Sequence, residues 1–264
     1  MNLDLSSTTA VVTGGTSGIG LATARQLLAL GANVAICGRN KDRLVEAESE
    51  LLKAASVDQL MAQQCDVLDA NQVADFCRAV EGSFGGLDIL INNAGQGRVS
   101  TFADTTDEDW REELDLKFFG VIHPTRTFLP LLEKSQSAAV VCVNSLLSLQ
   151  PEPHMVATSA ARAGLLSLVH SLAIEFAPKN IRVNSILLGL VESGQWRRRF
   201  DARADKDINW EDWTADLAQQ KNIPLGRLGK PEEAANAIIF LATPLSSFTT
   251  GSHIDVSGGV ARHV

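Results

Sequence analysis

Short β-branched apolar runs alternate with helical patterns along almost the whole chain, and that alternation constrains the fold more than any other feature. The runs are "TAVVT" (9–13), "NVAIC" (33–37), "LMAQQCD" (60–66), "LDILIN" (87–92), "AAVVCVN" (138–144), "IRVNSIL" (181–187) and "SHIDV" (252–256). Most segments between these seven strand candidates read as amphipathic helices. One, "LATARQLLALG", ends at Gly31, where glycine suits a left-handed helix C-terminus. Parallel neighbours need a crossover helix between them, so regular alternation predicts an α/β fold: a doubly wound parallel sheet with helices on both faces. The 264 residues accommodate one such domain, 1–264, with no internal boundary. One connection departs from the pattern. Residues 190–222 hold three of the four tryptophans, an arginine run and no clean period, which reads as an insertion over a site.

The stretch "TAVVTGGTSGIG" is a strand running into Gly14, Gly18 and Gly20 and then into a helix. A dinucleotide pyrophosphate needs that setting: glycine lets the backbone approach closely, and the helix N-terminus offers free N–H groups and a positive dipole end. A glycine triplet alone is compatible with an ordinary tight turn; the strand and helix around it point to the cofactor. The second strand ends "CGRN", placing Arg39 where selectivity for an unphosphorylated ribose would call for a carboxylate. Arginine can clamp a 2′-phosphate with two parallel hydrogen bonds, so Arg39 and nearby Ser17 favour NADP(H) over NAD(H). The plainer alternative is a solvated arginine opening the next helix.

A formal net charge of -8 disfavours nucleic acid and anionic lipid as partners. Apolar runs break early, "AAVVCVNSLLSL" at Asn144 and "GLLSLVHSLAIEF" at His170 and Glu175, so no bilayer span is expected. The start "MNLDLSSTTA" lacks a basic segment leading into an apolar one, and a cytoplasmic protein is expected. Cys37, Cys65, Cys77 and Cys142 form no C-x-x-C pair, which suits buried reduced thiols better than a metal site.

The spacing G-x-x-x-G-x-G, with "NNAG" at 92–95, resembles the short-chain dehydrogenase/reductase family, and the likeness covers almost the whole chain. "CDV" at 65–67 looks like that family's adenine-side contact. "IRVNSILLGLVES" at 181–193 resembles its nicotinamide loop, with Leu188 where proline is usual. "GRLGKPEEAANAIIFLATPLSSFTTGSHIDVSGG" matches its C-terminal helix and last strand, with Ser257 where aspartate is usual. The resemblance implies a Rossmann domain and hydride transfer between NADP(H) and a carbonyl or alcohol. It also implies cofactor contacts from Gly14, Ser17, Gly18, Ile19, Gly20, Arg39, Asp66, Val67, Asn93, Ala94, Gly95, Arg162, Gly189 and Val191. A homotetramer is implied too, and the helix "ARAGLLSLVHSLAIEFA" carries more apolar surface than one core-facing stripe.

The family's reaction uses a serine, a tyrosine that exchanges the proton, a lysine one turn later and usually an asparagine one helix earlier. This chain has no tyrosine at all. Ser145 fits the serine. The family's usual interval from it lands on Thr158, the lysine position on Arg162, and the asparagine position on Lys117. The chain is similar to an atypical subgroup with this arrangement. A phenol titrates near 10, an aliphatic alcohol is a far weaker acid, and arginine stays protonated above about 12, so Thr158 and Arg162 cannot do the old jobs unaided. Lys117, with a reference value of about 10.4 that neighbouring positive charge would lower, can serve as general acid or base. A surface lysine is the plain alternative, and His154 is a rival proton carrier.

"SGQWRRRFDAR" at 193–203 stacks Arg197, Arg198, Arg199 and Arg203 in an acidic chain, and Arg98 follows "NNAGQG". Capture of an anionic substrate explains the run; so does a helix surface salt-bridged to Asp201 and Asp205. Arg98, His154, Gln195 and Trp196 are the substrate-facing candidates. The competing functional reading is a dinucleotide-binding sensor or assembly partner that has lost catalysis.

Overall fold

The computed structural model describes residues 3–203 and 207–262. All seven expected strands form: β1 (Thr9–Thr13), β2 (Asn33–Gly38), β3 (Leu60–Gln64), β4 (Ile89–Asn92), β5 (Ala139–Ser145), β6 (Arg182–Leu188) and β7 (His253–Val256). They make one parallel sheet in the order β3-β2-β1-β4-β5-β6-β7. Helices α1 (Gly18–Ala29), α2 (Lys41–Leu51), α3 (Ala70–Phe84), α4 (Asp107–Leu132), α5 (Val156–Phe176) and α8 (Pro231–Ala242) cover it, while α6 (Gly194–Ala202) and α7 (Trp210–Gln220) occupy the irregular connection.

The five inner strands, β1, β2, β4, β5 and β6, are largely apolar because both faces are covered, and successive side chains alternate between the two cores; the edge strands β3 and β7 are only partly buried. Val11, Leu90, Val140 and Val183 point into the core shared with α3, α4 and α5. Val12, Ile91, Val141 and Ile186 point into the one under α1, α2 and α8. The strand order reverses between β1 and β4. Connections leave those two strands toward opposite sides, so their C-terminal ends splay a crevice, the place where such sheets bind ligands.

The long helix α4 opens with a capping box in which Thr106 and Asp109 satisfy each other's backbone N–H groups, and it carries Asp107, Glu108 and Asp109 against the positive end of its dipole. The segment Val156–Lys179 is long and apolar enough to cross a membrane by length and composition, a property that core helices of soluble proteins share. In the fold this helix packs on α4, β5 and β6, burying Ala157, Ala161, Leu165, Val169, Ala173 and Phe176.

Candidate active site

A cleft of about 660 Å³ runs along the C-terminal ends of β1, β2, β4, β5 and β6. Its first bank is main chain. The turn after β1 holds Gly14 at φ +65°, where a Cβ would come within 2.9 Å of the Ala94 Cα. Gly18, at φ +54°, opens α1 with nothing within 4 Å of where its Cβ would stand. Ser17 occupies the N-cap without bonding the helix through its side chain, so the first-turn N–H groups of α1 are left for a ligand. Gly20 does not line the cleft. It packs beneath the turn, where a Cβ would sit 2.4 Å from the Gly14 carbonyl oxygen and 2.5 Å from the Asn93 amide.

Asn93 braces this turn from β4. Its Nδ2 donates to the carbonyls of Thr13 (2.9 Å) and Gly14 (3.1 Å), while the Thr13 hydroxyl accepts from the backbone N–H groups of Asn93 (3.0 Å) and Ala94 (3.1 Å). Ile19, Val67, Ala94 and Gly95 complete the wall, with Gly189 and Val191 after β6. Gly189 is required by contact: a Cβ there would meet the Ser257 Cα at 2.9 Å. At the far end Arg39 reaches across the cleft, its guanidinium 4.0 Å from the Asp66 carboxylate, and Ser17, Asn40 and Arg43 stand beside it. Arg43 escaped the sequence reading, although its position one helical turn beyond Arg39 was the signal for it.

The second bank is built from side chains of β5, α4 and α5. Ser145 closes β5 with its hydroxyl at the cleft, donating to the Leu188 carbonyl (3.3 Å) and accepting from the Leu147 N–H (3.3 Å). Arg162 also reaches the cleft wall. Its Nη1 donates to the Val143 carbonyl at 2.8 Å, and its Nε has no hydrogen-bond partner among the described residues. Burial lowers its pKa to about 10, with Glu113 acting the other way, so it is charged at neutral pH.

Lys117 and Thr158 lie behind that wall and do not line the cleft. Lys117 is 2% exposed; its Nζ donates to the Gln96 carbonyl (2.6 Å) and to Glu113 Oε1 (2.8 Å), one turn earlier on α4. Thr158, equally buried, donates to the same Glu113 oxygen at 2.6 Å and accepts from the Arg98 N–H at 3.0 Å. Glu113 was missed from sequence. Its signal was an acid four residues before Lys117, the spacing that faces two side chains on one helix. Burial, then the charge of Arg162, push the Lys117 pKa down to about 8, against the pull of Glu113.

At the mouth, His154, Gln195, Trp196, Arg199 and Lys221 line the opening, and His154 Nε2 lies 3.1 Å from Glu152. Arg98 is not among them: its guanidinium is held by Asp109 and Glu112 of α4. The arginine run does something neither sequence reading foresaw. Arg197 stacks 3.8 Å over the Trp210 ring, Arg199 4.7 Å over Trp196, and Arg203 3.4 Å over Phe200, tying α6 to α7 through an aromatic cluster. Asp205, expected to pair with this run, lies outside the described residues.

A family model described as Enoyl-(Acyl carrier protein) reductase matches residues 14–261. An uncharacterized short-chain type dehydrogenase/reductase of Sinorhizobium fredii is 34% identical, with 98% of this chain and 99% of that protein covered. The chain is a short-chain dehydrogenase/reductase. Among solved structures, a short chain oxidoreductase from Pseudomonas aeruginosa PAO1 containing an atypical catalytic center is 66% identical. Its apo form superposes with a TM-score of 0.97 over 99% of this chain and 100% of that one. Its NADPH-bound form gives 0.95 over 99% of each. L-sorbose reductase from Gluconobacter frateurii, complexed with NADPH and L-sorbose, is 30% identical with a TM-score of 0.94 over the full length of both chains. In this short-chain dehydrogenase/reductase the glycine turn and Ser145 line the same cleft.

Proposed function

We propose that this oxidoreductase interconverts a carbonyl and an alcohol using NADP(H), and that Lys117 supplies the proton its relatives take from a tyrosine. The observation that carries this is a lysine buried behind the cleft wall with its pKa pushed down to about 8, in a chain without tyrosine. A group titrating near neutrality is suited to general acid catalysis, and a vacated catalytic centre has no need of one.

The residues fit the cofactor. The glycine turn and the unbonded α1 N-terminus suit a pyrophosphate, the Arg39–Arg43 pair with Ser17 suits a 2′-phosphate, and the Arg162 guanidinium at the wall suits the nicotinamide ribose. The NADPH complexes of the Pseudomonas and Gluconobacter proteins support the same choice. When bound, the cofactor supplies the hydride. Ser145 holds the substrate oxygen by hydrogen bond, Arg162 stabilises negative charge developing there, and Lys117 releases the proton not engaged by Glu113 and Gln96 toward the cleft, directly or through a water. Thr158, its hydroxyl occupied by Glu113 and Arg98, acts from behind this set by holding the backbone of the Gln96–Arg98 loop.

Support for an anionic substrate passes from Arg98, already paired, to Arg199 of the cleft lining; Lys221 beside it lies 3.7 Å from the Glu152 carboxylate. Helices α6 and α7 are the cover over it. Four free thiols fit work in the cytoplasm. Assembly as a homotetramer draws on apolar side chains left in solvent on α4 and α5, Phe119 and Ile174; light scattering that shows monomer alone would refute it.

A sensor without catalysis draws on one observation, that neither Lys117 nor Thr158 lines the cleft. Following NADPH oxidation over ketones, aldehydes, quinones and ketoacids separates the two. Turnover of any of these, lost in Lys117→Ala, supports the enzyme. Tight NADPH binding with no turnover supports the sensor, and full turnover by Lys117→Ala moves the proton to His154, which does line the cleft.

A further inference from the structure

Among the described residues, Glu113 and Lys117 are the two charged side chains that are fully buried, at 3% and 2% exposure, and they are bonded to each other. One oxygen of Glu113 does all the visible binding. Oε1 takes the Lys117 ammonium from its own helix at 2.8 Å and the Thr158 hydroxyl from α5 at 2.6 Å. The Thr158 hydroxyl in turn accepts the Arg98 N–H, and Lys117 donates to Gln96 on the same loop. A single carboxylate therefore clasps α4, α5 and the loop after β4 at the back of the cleft. An isolated carboxylate would be strongly disfavoured there, and so would an isolated ammonium beside Arg162.

We infer that Glu113 is a positioning residue of the reaction centre, aiming Lys117 at the Gln96 edge of the cleft and holding it protonated against the positive charge around it. The catalytic part of this inference rests on Lys117 being the proton donor; the pairing itself does not. The groups facing Lys117 are Glu113 from its own helix, Arg162 from α5 and Arg98 from the loop. Glu113 is the sole anion of the three. Two cations and desolvation favour the neutral amine, and the carboxylate opposes them. Without it the balance would tip further toward the neutral amine, which has no proton to give. Thr158 gains a role on the same footing. Where the family has a phenol that reaches substrate, this chain has a short hydroxyl turned back onto the carboxylate that manages Lys117.

The test is a titration of Lys117 independent of turnover. Carbon-13 NMR of the lysine Cε in the full-length protein, with the resonance assigned by its loss in Lys117→Met, reads the ammonium directly. In Glu113→Gln, which keeps shape and one acceptor but removes the charge, the Lys117 midpoint should fall by roughly one to two pH units from its wild-type value. The basic limb of kcat should move down with it, and Glu113→Asp should restore part of both. A purely structural Glu113 would lower activity without moving either midpoint. Superimposable Lys117 titrations in wild type and Glu113→Gln overturn the inference. An NMR midpoint that moves while the kcat limb stays put upholds the pairing and sinks Lys117 as donor, which is the failure of the proposed mechanism instead. Should Glu113→Gln not fold, Glu113→Asp carries the test: its retracted carboxylate must lower the Lys117 midpoint, and an unchanged midpoint overturns the inference.

Discussion

On the β1–α1–β2 side the cleft is made of main chain, with Gly14 and Gly18 clearing space and Asn93 bracing the turn from behind; its charges, Arg39 and Asp66, stand partly in solvent. On the α4–α5 side the working groups are side chains. Their charges are out of water and paired, as in Glu113 with Lys117 one turn apart on α4, with Arg162 of α5 close by. The first bank recognises by shape and hydrogen-bond geometry, which any residue with a Cβ spoils. The second works by altering the protonation behaviour of its groups, which any change in burial or neighbouring charge retunes. A cofactor common to a large family suits the first kind of construction, while the proton donor proposed above requires the second.

The largest effect should come from the buried bank. Lys117→Ala should lower kcat by roughly 10² to 10⁴ while NADPH binding persists, and Lys117→Arg should be nearly as damaging because guanidinium keeps its proton. Stopped-flow measurement of NADPH oxidation together with a binding titration checks both halves; loss of binding in step with kcat would blur the distinction between the two banks.

A pH dependence of stability follows from the same lysine. The Lys117 pKa falls from 10.5 unfolded to about 8 folded, so between those values the unfolded chain binds more protons and stability rises with pH. Over that window the wild type should gain up to roughly 3 kcal/mol relative to a Lys117→Met/Glu113→Gln reference, in which neither group titrates. Urea denaturation of both proteins at pH 7.5 to 10.5 reads it; a constant gap would mean that Lys117 titrates normally.

The main-chain bank should break differently. Gly20→Ala forces a methyl to within 2.4 Å of the Gly14 carbonyl, and the turn has to shift. The NADPH dissociation constant should rise roughly ten- to hundredfold, with no change in the pH profile of whatever turnover remains. A shift in that profile would show the two banks to be coupled. The smallest effect is expected from Arg39→Ala, which should weaken NADPH about tenfold and leave NADH alone. Fluorescence titration with both cofactors measures it, and equal losses for the two would remove Arg39 from 2′-phosphate recognition.

Local pattern was enough for the frame. Seven strand-like runs separated by helical periods allow little but a parallel sheet, because the inner runs bury both faces and each return needs a crossover. The glycine turn was legible for a related reason: it is contiguous in sequence, and its requirement is a backbone conformation that single residue types reveal. Ser145, Arg162 and Lys117 were reachable only by aligning spacings with a known family, and spacing says nothing about depth. Only the tertiary structure, with β5 ending at the cleft and α5 packed on α4, decided that Ser145 and Arg162 line the cleft while Lys117 and Thr158 do not, and that Arg98 is spent on Asp109 and Glu112. Glu113 illustrates the division best. Its place one turn before Lys117 is written in the chain, but its bond to Thr158, 45 residues away, exists because two helices meet there. Water is excluded at that contact, and exclusion of water, not residue identity, moves an ordinary lysine toward neutrality.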